Sequence, residues 1–561
     1  MEHKFKKLLA LLLALTMLLT LAACGGNQNS GNDEQDAATV SGDDAQESNQ
    51  SSEEESGNGH VELLRIGTTQ THEVFSGWQT TGAFGKMLYN SFVFANLFEW
   101  DEHSQVQPGF IQDWEFSEDG TQLTITFPTD VTWHDGVPVT AEDVEFTFQT
   151  LNESKGLGIT AMEFPDDHTG VLTFENPVGL KLLNSLTITA VLIPKHIWEG
   201  KDPETYVGDD AVIGCGPYRF VSYDEDAQTS YYESVGDYYK GEITVDKVSI
   251  RTYTGQDALV MALATGEIDA IYDYSNPVDP SLIETLASSS EVDVGMSNNT
   301  GDYQLSFGCN AAPMNDLAFR KAVIYAIDYE MTASVINGEY GEIPSLGIIP
   351  PSNLGFDDTL PRLEQDVDAA NAALDEGGYL DVDGDGIREM PDGSEMDIMI
   401  TMQYGVRAEM FARLYEVISE DLAAVGIKTT LDEESVRNRD VWMGHMNDAD
   451  FDIYLGICTT GVAPFSTAYH YLLSSSRLAA GTYAGEEMNA AYQSALTAKT
   501  TEEYVAAIKQ VQQYNAEEFA GTALCWDKAF FPFRVDKITG WVNYPAWGAI
   551  NNQTWYTLHT A

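Results

Sequence analysis

The chain has 561 residues and a formal net charge of −60, from 28 Lys and Arg against 88 Asp and Glu. No stretch offers a basic footprint for phosphates, which excludes a nucleic-acid binder. So long a chain exceeds what one core usually supports, so two or three subdomains are expected; 11% aromatic content points to a large core, an aromatic-lined cleft, or both.

Lys4, Lys6 and Lys7 precede an uncharged apolar run, Leu8 to Leu21, which is too short for an ordinary spanning helix and fits a signal peptide. Leu21-Ala22-Ala23-Cys24 resembles the bacterial lipobox, which implies residues 1–23 as a lipoprotein signal peptide and Cys24 as the lipid-modified first residue of the mature protein. Residues 24–59 hold nine Asp or Glu, no Lys or Arg, and Val40 as the one sizeable apolar residue. Such a segment cannot bury enough surface to offset its ordering entropy and is expected to be a disordered acidic tether.

Leu64 to Thr69 reads as an opening strand. Trp78 to Phe98 is rich in aromatics, Tyr89 and Phe92 among them, and serves either as core or as the wall of a cleft. Leu123, Ile125 and Phe127 alternate as a strand, Trp133-His134-Asp135-Gly136 makes a turn, and Thr140 to Asp143 reads as a capping box ahead of a helix with Val144, Phe148 and Leu151 on one face. Leu305, Phe307 and Cys309 then alternate as the end of a strand. Pro313 stops it, and Asn315 or Asp316 caps a helix in which Ile324, Ile327, Met331 and Val335 recur at helical spacing.

Asp381, Asp383 and Asp385 with Gly386 stand at positions 1, 3, 5 and 6 of a calcium-type loop, but Asp392 replaces the bidentate Glu at position 12. The segment is therefore either a structural calcium loop or an acidic turn; no cofactor is required by anything else in the chain. Tyr404 and Arg407 precede a helix from Ala408 to Val425, Asp450 to Ile457 reads as a strand, and Thr500 to Glu503 opens a helix with Tyr504, Ile508 and Val511 on one face. Cys215, Cys309, Cys458 and Cys525 match no zinc or redox spacing and are either paired or free. There is no Gly-x-Ser-x-Gly elbow, no His-Glu-x-x-His and no Gly-rich phosphate loop, so no enzyme is expected.

Leu97–Trp100 and the stretch Gln107–Phe148 closely resemble the signature of the extracytoplasmic solute-binding proteins of family 5, the peptide- and nickel-type receptors of ABC importers. Ile213 to Tyr218, Gly266 to Ala270, and Ala318 through Asp328 follow in the order that family shows. The resemblance implies an α/β fold with two lobes, periplasmic-binding-protein-like, class II and cluster C in type, with an extra subdomain in the first lobe. It places residues 60–97, 212–304 and 526–561 in the first lobe, 98–211 in the extra subdomain and 305–525 in the second lobe. The chain passes between lobes near Leu305–Asn310 and returns near Cys525–Trp526.

The same resemblance implies a lipid-anchored, extracytoplasmic monomer that captures a small solute, a peptide in chemical type, and hands it to ABC permease subunits. A short oligosaccharide, a metal chelate, or a sensed signal peptide stay open as alternatives. The cleft residues implied by position are Tyr89, Phe92, Cys215, Asn310, Tyr404, Arg407, Thr459, Thr460, Gly461 and Trp526. Pro464 matches the proline of the loop whose acid pairs with a peptide's α-amino group in that family, which puts Thr460 where the acid would be. Glu433, Glu434 and Asp527 are the acids available to replace it.

Overall fold

The computed structural model describes residues 59–71, 76, 78, 92–103, 105–203, 205–273, 277–297, 301–405, 407–448, 450–459, 485–544 and 548–561. Residues 1–58, with Cys24, and Tyr89, Thr460 and Gly461 lie outside them, as do the side chains of Cys458 and Thr459.

A seven-stranded sheet is ordered Val292–Met296, Phe530–Arg534, Ala270–Ile271, Leu64–Thr68, Lys247–Thr252, Thr229–Ser234, Tyr218–Asp224. Its centre is parallel: Leu64 lies against Val248, and Ile66 against Ile250 on one side and Ala270 on the other. Those apolar residues are all under 5% exposed, as expected of parallel strands covered on both faces.

A five-stranded sheet is ordered Thr429–Leu431, Ile398–Met402, Ile453–Thr459, Gly301–Phe307, Gly521–Asp527. Tyr303, Leu305 and Phe307 share a core with the helices Leu317–Ala326, Val367–Gly377 and Ala408–Ala424. The expected single helix after Pro313 is in fact two. Asp316 caps the first through the Ala318 N–H (2.9 Å), while Asp328 caps a second, Tyr329–Asn337, through the Met331 N–H (2.9 Å). That second cap resets the helical phase and leaves Met331 49% exposed.

A four-stranded antiparallel sheet, Asp113–Phe116, Gln122–Thr126, Thr169–Phe174, Ile159–Glu163, forms the extra subdomain with the helix Ala141–Lys155. There Asp143 reaches back to the Thr140 N–H (2.8 Å), and Val144, Phe148 and Leu151 are buried against the sheet.

Two passages join the two large sheets. The outward one runs from Met296 to Gly301 and the return from Asp527 to Phe530, because Val292–Met296 pairs with Phe530–Arg534 in one sheet and Gly301–Phe307 with Gly521–Asp527 in the other. The passages expected at Leu305–Asn310 and Cys525–Trp526 are thus displaced. Residues 301–304 and Trp526–Asp527 already pair within the second sheet, so the first-lobe ranges 212–304 and 526–561 each take in strand residues of the second lobe.

Candidate functional site

Where the second sheet meets the passages, register brings its functional groups together. Gly301 lies between Thr459 and Asp527, and Asp302 between Cys458 and Trp526. Asp527 and Trp526 are 4% and 3% exposed at this junction. The Trp526 carbonyl accepts from Asn337 Nδ2 (2.9 Å), and its N–H donates to the Glu342 carbonyl (3.2 Å).

Arg407 sits just before the helix Ala408–Ala424 with φ 48° and ψ 41°, a left-handed conformation that a non-glycine residue adopts at a cost. That backbone turns the side chain inward. Its Nη1 stands 3.7 Å from Asp527 Oδ1, and its guanidinium carbon 5.5 Å from the Tyr303 ring centre. The ion pair is long and single-contact, and Asp527 Oδ1 has no hydrogen-bond partner. Burial raises the Asp527 pKa, and the Arg407 charge opposes that rise. Tyr404, three residues earlier, is half-buried and stacks on Trp442 at 6.3 Å.

Asp302 was not among the expected site residues. It is fully buried, neither carboxylate oxygen has a hydrogen-bond partner, and its pKa is raised well above the ordinary value by burial and then by the Asp527 charge. Gln304 and Ser306 follow on the same face with unpartnered polar atoms. The sequence signal was present: Asp302, Gln304 and Ser306 alternate with Tyr303, Leu305 and Phe307. That pattern ordinarily marks a strand with one face in water, yet all seven residues of Gly301–Phe307 are buried.

Three expected residues are placed elsewhere. Phe92 is fully buried in the first lobe, with ring centres of Tyr218, Tyr232 and Trp555 at 5.5, 4.8 and 5.0 Å. It is core because an aromatic box closes round it. Cys215 is 2% exposed in the core of the extra subdomain, and burial pushes its thiol up. The glycines beside it explain its motif. A Cβ on Gly214 would stand 2.1 Å from the Val93 carbonyl oxygen and one on Gly216 2.6 Å from that of Phe92, so the turn serves a close backbone approach. His134 locks that turn through the Gly216 carbonyl (2.9 Å), and burial lowers its pKa to about 4. Asn310 is exposed beyond Phe307, the end of its strand away from Asp527, which at about 3.3 Å per residue is too distant to join the junction.

Of the three available acids, Glu433 and Glu434 are exposed, Glu433 pairing with Arg437, and Asp527 alone lies at the junction. Cys215, Cys309 and Cys525 are free thiols; burial pushes Cys309 up to about 11 and Cys525 up to about 12.

The acidic loop stands apart from the junction. Asp381, Asp383 and Asp385 are exposed, with one carboxylate oxygen of each within 4.8 Å of the others. Asp381 accepts from the Gly384 and Gly386 N–H groups at 2.7 and 3.1 Å, and Asp385 from that of Ile387 at 2.8 Å. Asp392 accepts from Ser394 N and Oγ (3.0 and 2.6 Å) within its own turn, so the twelfth-position carboxylate does not complete the set.

The arrangement is a half-buried cation beside a buried acid with open hydrogen-bonding capacity, set where two sheets meet. Residues 105–479 match the model of the bacterial extracellular solute-binding proteins, family 5 Middle. A Brucella ovis protein named for peptide binding in an ABC transporter is 28% identical over 305 residues, 51% of this chain and 54% of that protein, so the chain spans about half the length of that relative. The oligopeptide-binding protein AppA of Bacillus subtilis is 23% identical over 521 residues, 88% of this chain and 91% of AppA. Its solved structure, in complex with a nonapeptide, superposes with a TM-score of 0.68 at 19% identity over 90% of this chain and 99% of AppA. HbpA2 from Haemophilus parasuis superposes with a TM-score of 0.76 at 19% identity, over 89% of this chain and all of that one (100%). The shared fold is the two-lobed α/β architecture described above.

Proposed function

The chain belongs to the bacterial extracellular solute-binding proteins of family 5, and from that premise we propose that it is the substrate-binding component of an ABC importer, enclosing a peptide-like solute between its lobes and delivering it unaltered to a membrane permease. The observation that carries this reading is the Arg407–Asp527 pair at the junction of the two sheets. Among the described residues Arg407 has the long contact with Asp527 and lies over the Tyr303 ring, which leaves its N–H donors uncommitted. A guanidinium in that position receives a carboxylate or a row of carbonyl oxygens. Tyr303 is the aromatic beside Arg407 and Trp526 the one next to Asp527; Thr459 ends the adjoining strand, and Thr460 and Gly461 follow it in sequence as the residues that would face the solute.

Delivery requires that the solute bind the closed form better than the open one, since a ligand indifferent to the two shifts nothing. The two passages are the hinge for that motion. Acylation at Cys24 would hold the protein at the outer face of the cell membrane, with the rest of residues 24–59 as a spacer.

The test is mass spectrometry of solute carried through gentle purification, paired with tryptophan fluorescence. Peptides released on denaturation, rebinding with a fluorescence shift that Arg407→Ala weakens at least tenfold, would support the reading. Carried sugar or metal chelate, with peptides giving no shift, would overturn it.

A further inference from the structure

The extra subdomain and the second lobe also touch away from the two passages. Gly179 and Leu180, at the start of the helix Leu180–Thr189, meet Ala498 and Lys499, which lie between the helices Glu486–Thr497 and Thr501–Glu518. The second of those helices leads into the strand Gly521–Asp527 of the five-stranded sheet. We infer that this contact is a latch that forms when the lobes close and sets how tightly the solute is held, through residues separate from the Arg407–Asp527 junction. The inference rests on the solute-binding reading above.

The first observation is a helix cap supplied by the opposite lobe. The helix Leu180–Thr189 has Gly179 at its N-cap, where no side chain accepts from its first N–H groups. The Leu180 N–H instead donates to the Ala498 carbonyl at 2.8 Å, and Ala498 is the C-cap of Glu486–Thr497. An orphan donor of one helix thus meets an orphan acceptor of another, positive end to negative end. The approach is close: a Cβ on Gly179 would stand 2.3 Å from the Ala498 carbonyl oxygen and 2.9 Å from its carbonyl carbon. Gly179 itself is extended, with φ −153° and ψ −159°, a conformation open to other residues. The residue is held to glycine by the opposite lobe and not by its own backbone.

The second observation is the ammonium of Lys499. It reaches the turn between Asp113–Phe116 and Gln122–Thr126, donating to the Glu118 carbonyl and, at 3.4 Å, to the Ser117 carbonyl. Both sides are braced from within their own lobe. Asp119 holds the turn by accepting from the Thr121 N–H and hydroxyl (3.0 and 2.8 Å) and from Ser117 Oγ (2.7 Å). Glu503 holds the other side, accepting from the Lys499 N–H at 2.9 Å.

The contact is polar and thin. Leu180 and Leu182 pack against the core of the extra subdomain, whereas Ala498 belongs to a separate core with Met488, Tyr504 and Ile508. Opening therefore separates no shared apolar core, and it returns one N–H, one ammonium and three carbonyls to water, where each finds a new partner at small net cost. Whatever the latch contributes to closure adds to the affinity of any solute that prefers the closed form.

The experiment is the distance distribution between spin labels on Gln149→Cys and Ala506→Cys, both exposed positions, in the full chain titrated with a pancreatic digest of casein as the peptide probe. Wild type should show a short and a long distance without digest and the short one alone at saturation. Gly179→Ala should reduce the short population without digest about threefold and need about tenfold more digest to close. Lys499→Met should shift both in the same direction by less. Equal short populations in wild type and both variants would overturn the latch. So would a wild type with no short distance under any condition, or with the short distance alone under every condition, which marks a fixed interface. Should Gly179→Ala fail to fold, Lys499→Met decides: a smaller short population supports the latch, and an unchanged one overturns it. Digest that leaves wild type unmoved, while the variants still lose the short population, would sink the peptide reading and leave the latch standing. Digest that closes wild type and both variants alike would do the reverse.

Discussion

Ser297 and Ala529 are bonded to each other across the two passages: the Ser297 N–H donates to the Ala529 carbonyl at 2.9 Å, and the Ala529 N–H donates to Ser297 Oγ at 2.7 Å. The two passages are thereby tied where they leave the first sheet, one residue beyond Met296 and one before Phe530. The pair is buried at 1% and 3% exposure, so the tie is shielded from water at the start of both passages. Replacing Ser297 by Ala removes the hydroxyl acceptor and leaves the Ala529 N–H buried without a partner. A loss of about 1–3 kcal/mol is expected in denaturant unfolding, together with a broader distance distribution between spin labels placed on the two sheets. An unchanged distribution would show that the tie does not limit the hinge.

Asp302 predicts an unusual pH response. Its folded-state pKa is raised above the unfolded value by burial and by Asp527, so the folded protein keeps a proton that the unfolded chain has released. Stability is therefore unaffected by this group below the ordinary carboxylate value and falls as pH rises from there toward the raised pKa. Asp302→Asn removes the ionisation. At pH 7 it should stabilise the protein, with the gain vanishing below about pH 4. Melting curves across that range check it, and a destabilised variant at pH 7 would mean that Asp302 is held charged.

Phe92 separates core from cleft. With three aromatic rings around it and no exposure, Phe92→Ala should cost about 3–5 kcal/mol in unfolding free energy. Solute affinity of the folded fraction should stay within twofold. A variant of normal stability with impaired binding would return Phe92 to the cleft.

The acidic loop at Asp381 to Asp385 supports itself through its own N–H groups. Adding calcium to about 5 mM, in the range of weak extracellular sites, is expected to move the melting temperature by less than about 1 °C, in wild type and in Asp383→Asn alike, on the scale of about 2–4 °C per kcal/mol. A larger rise in wild type alone would assign the loop to calcium.

Local pattern was enough for the elements that carry their own punctuation. Thr140 with Asp143 and Thr500 with Glu503 start helices as their spacing says, and the Glu503 N–H donates to Thr500 Oγ1 at 3.2 Å. The strands around Leu64, Leu123 and Ile453 likewise follow from alternation or from short apolar runs. Arg407 was legible as a candidate through its position ahead of a helix, but its left-handed backbone and its approach to Asp527 were not. Asp302 was missed because alternation reports which residues share a face and cannot say whether that face meets water. Cys215 was misplaced because the glycines on either side of it mark a close backbone contact, and a contact between Gly214 and Val93 spans 121 positions in the chain.

The sequence by itself determined the helix starts at Thr140, Asp316 and Thr500, the acidic charge and the order of motifs, because each depends on neighbours a few residues apart. Tertiary structure alone decided where the chain crosses between lobes, which aromatics are core, and which acids lose their water, since these depend on pairings such as Gly301 with Asp527. Burial is a property of what lies opposite a side chain, and no local spacing encodes that.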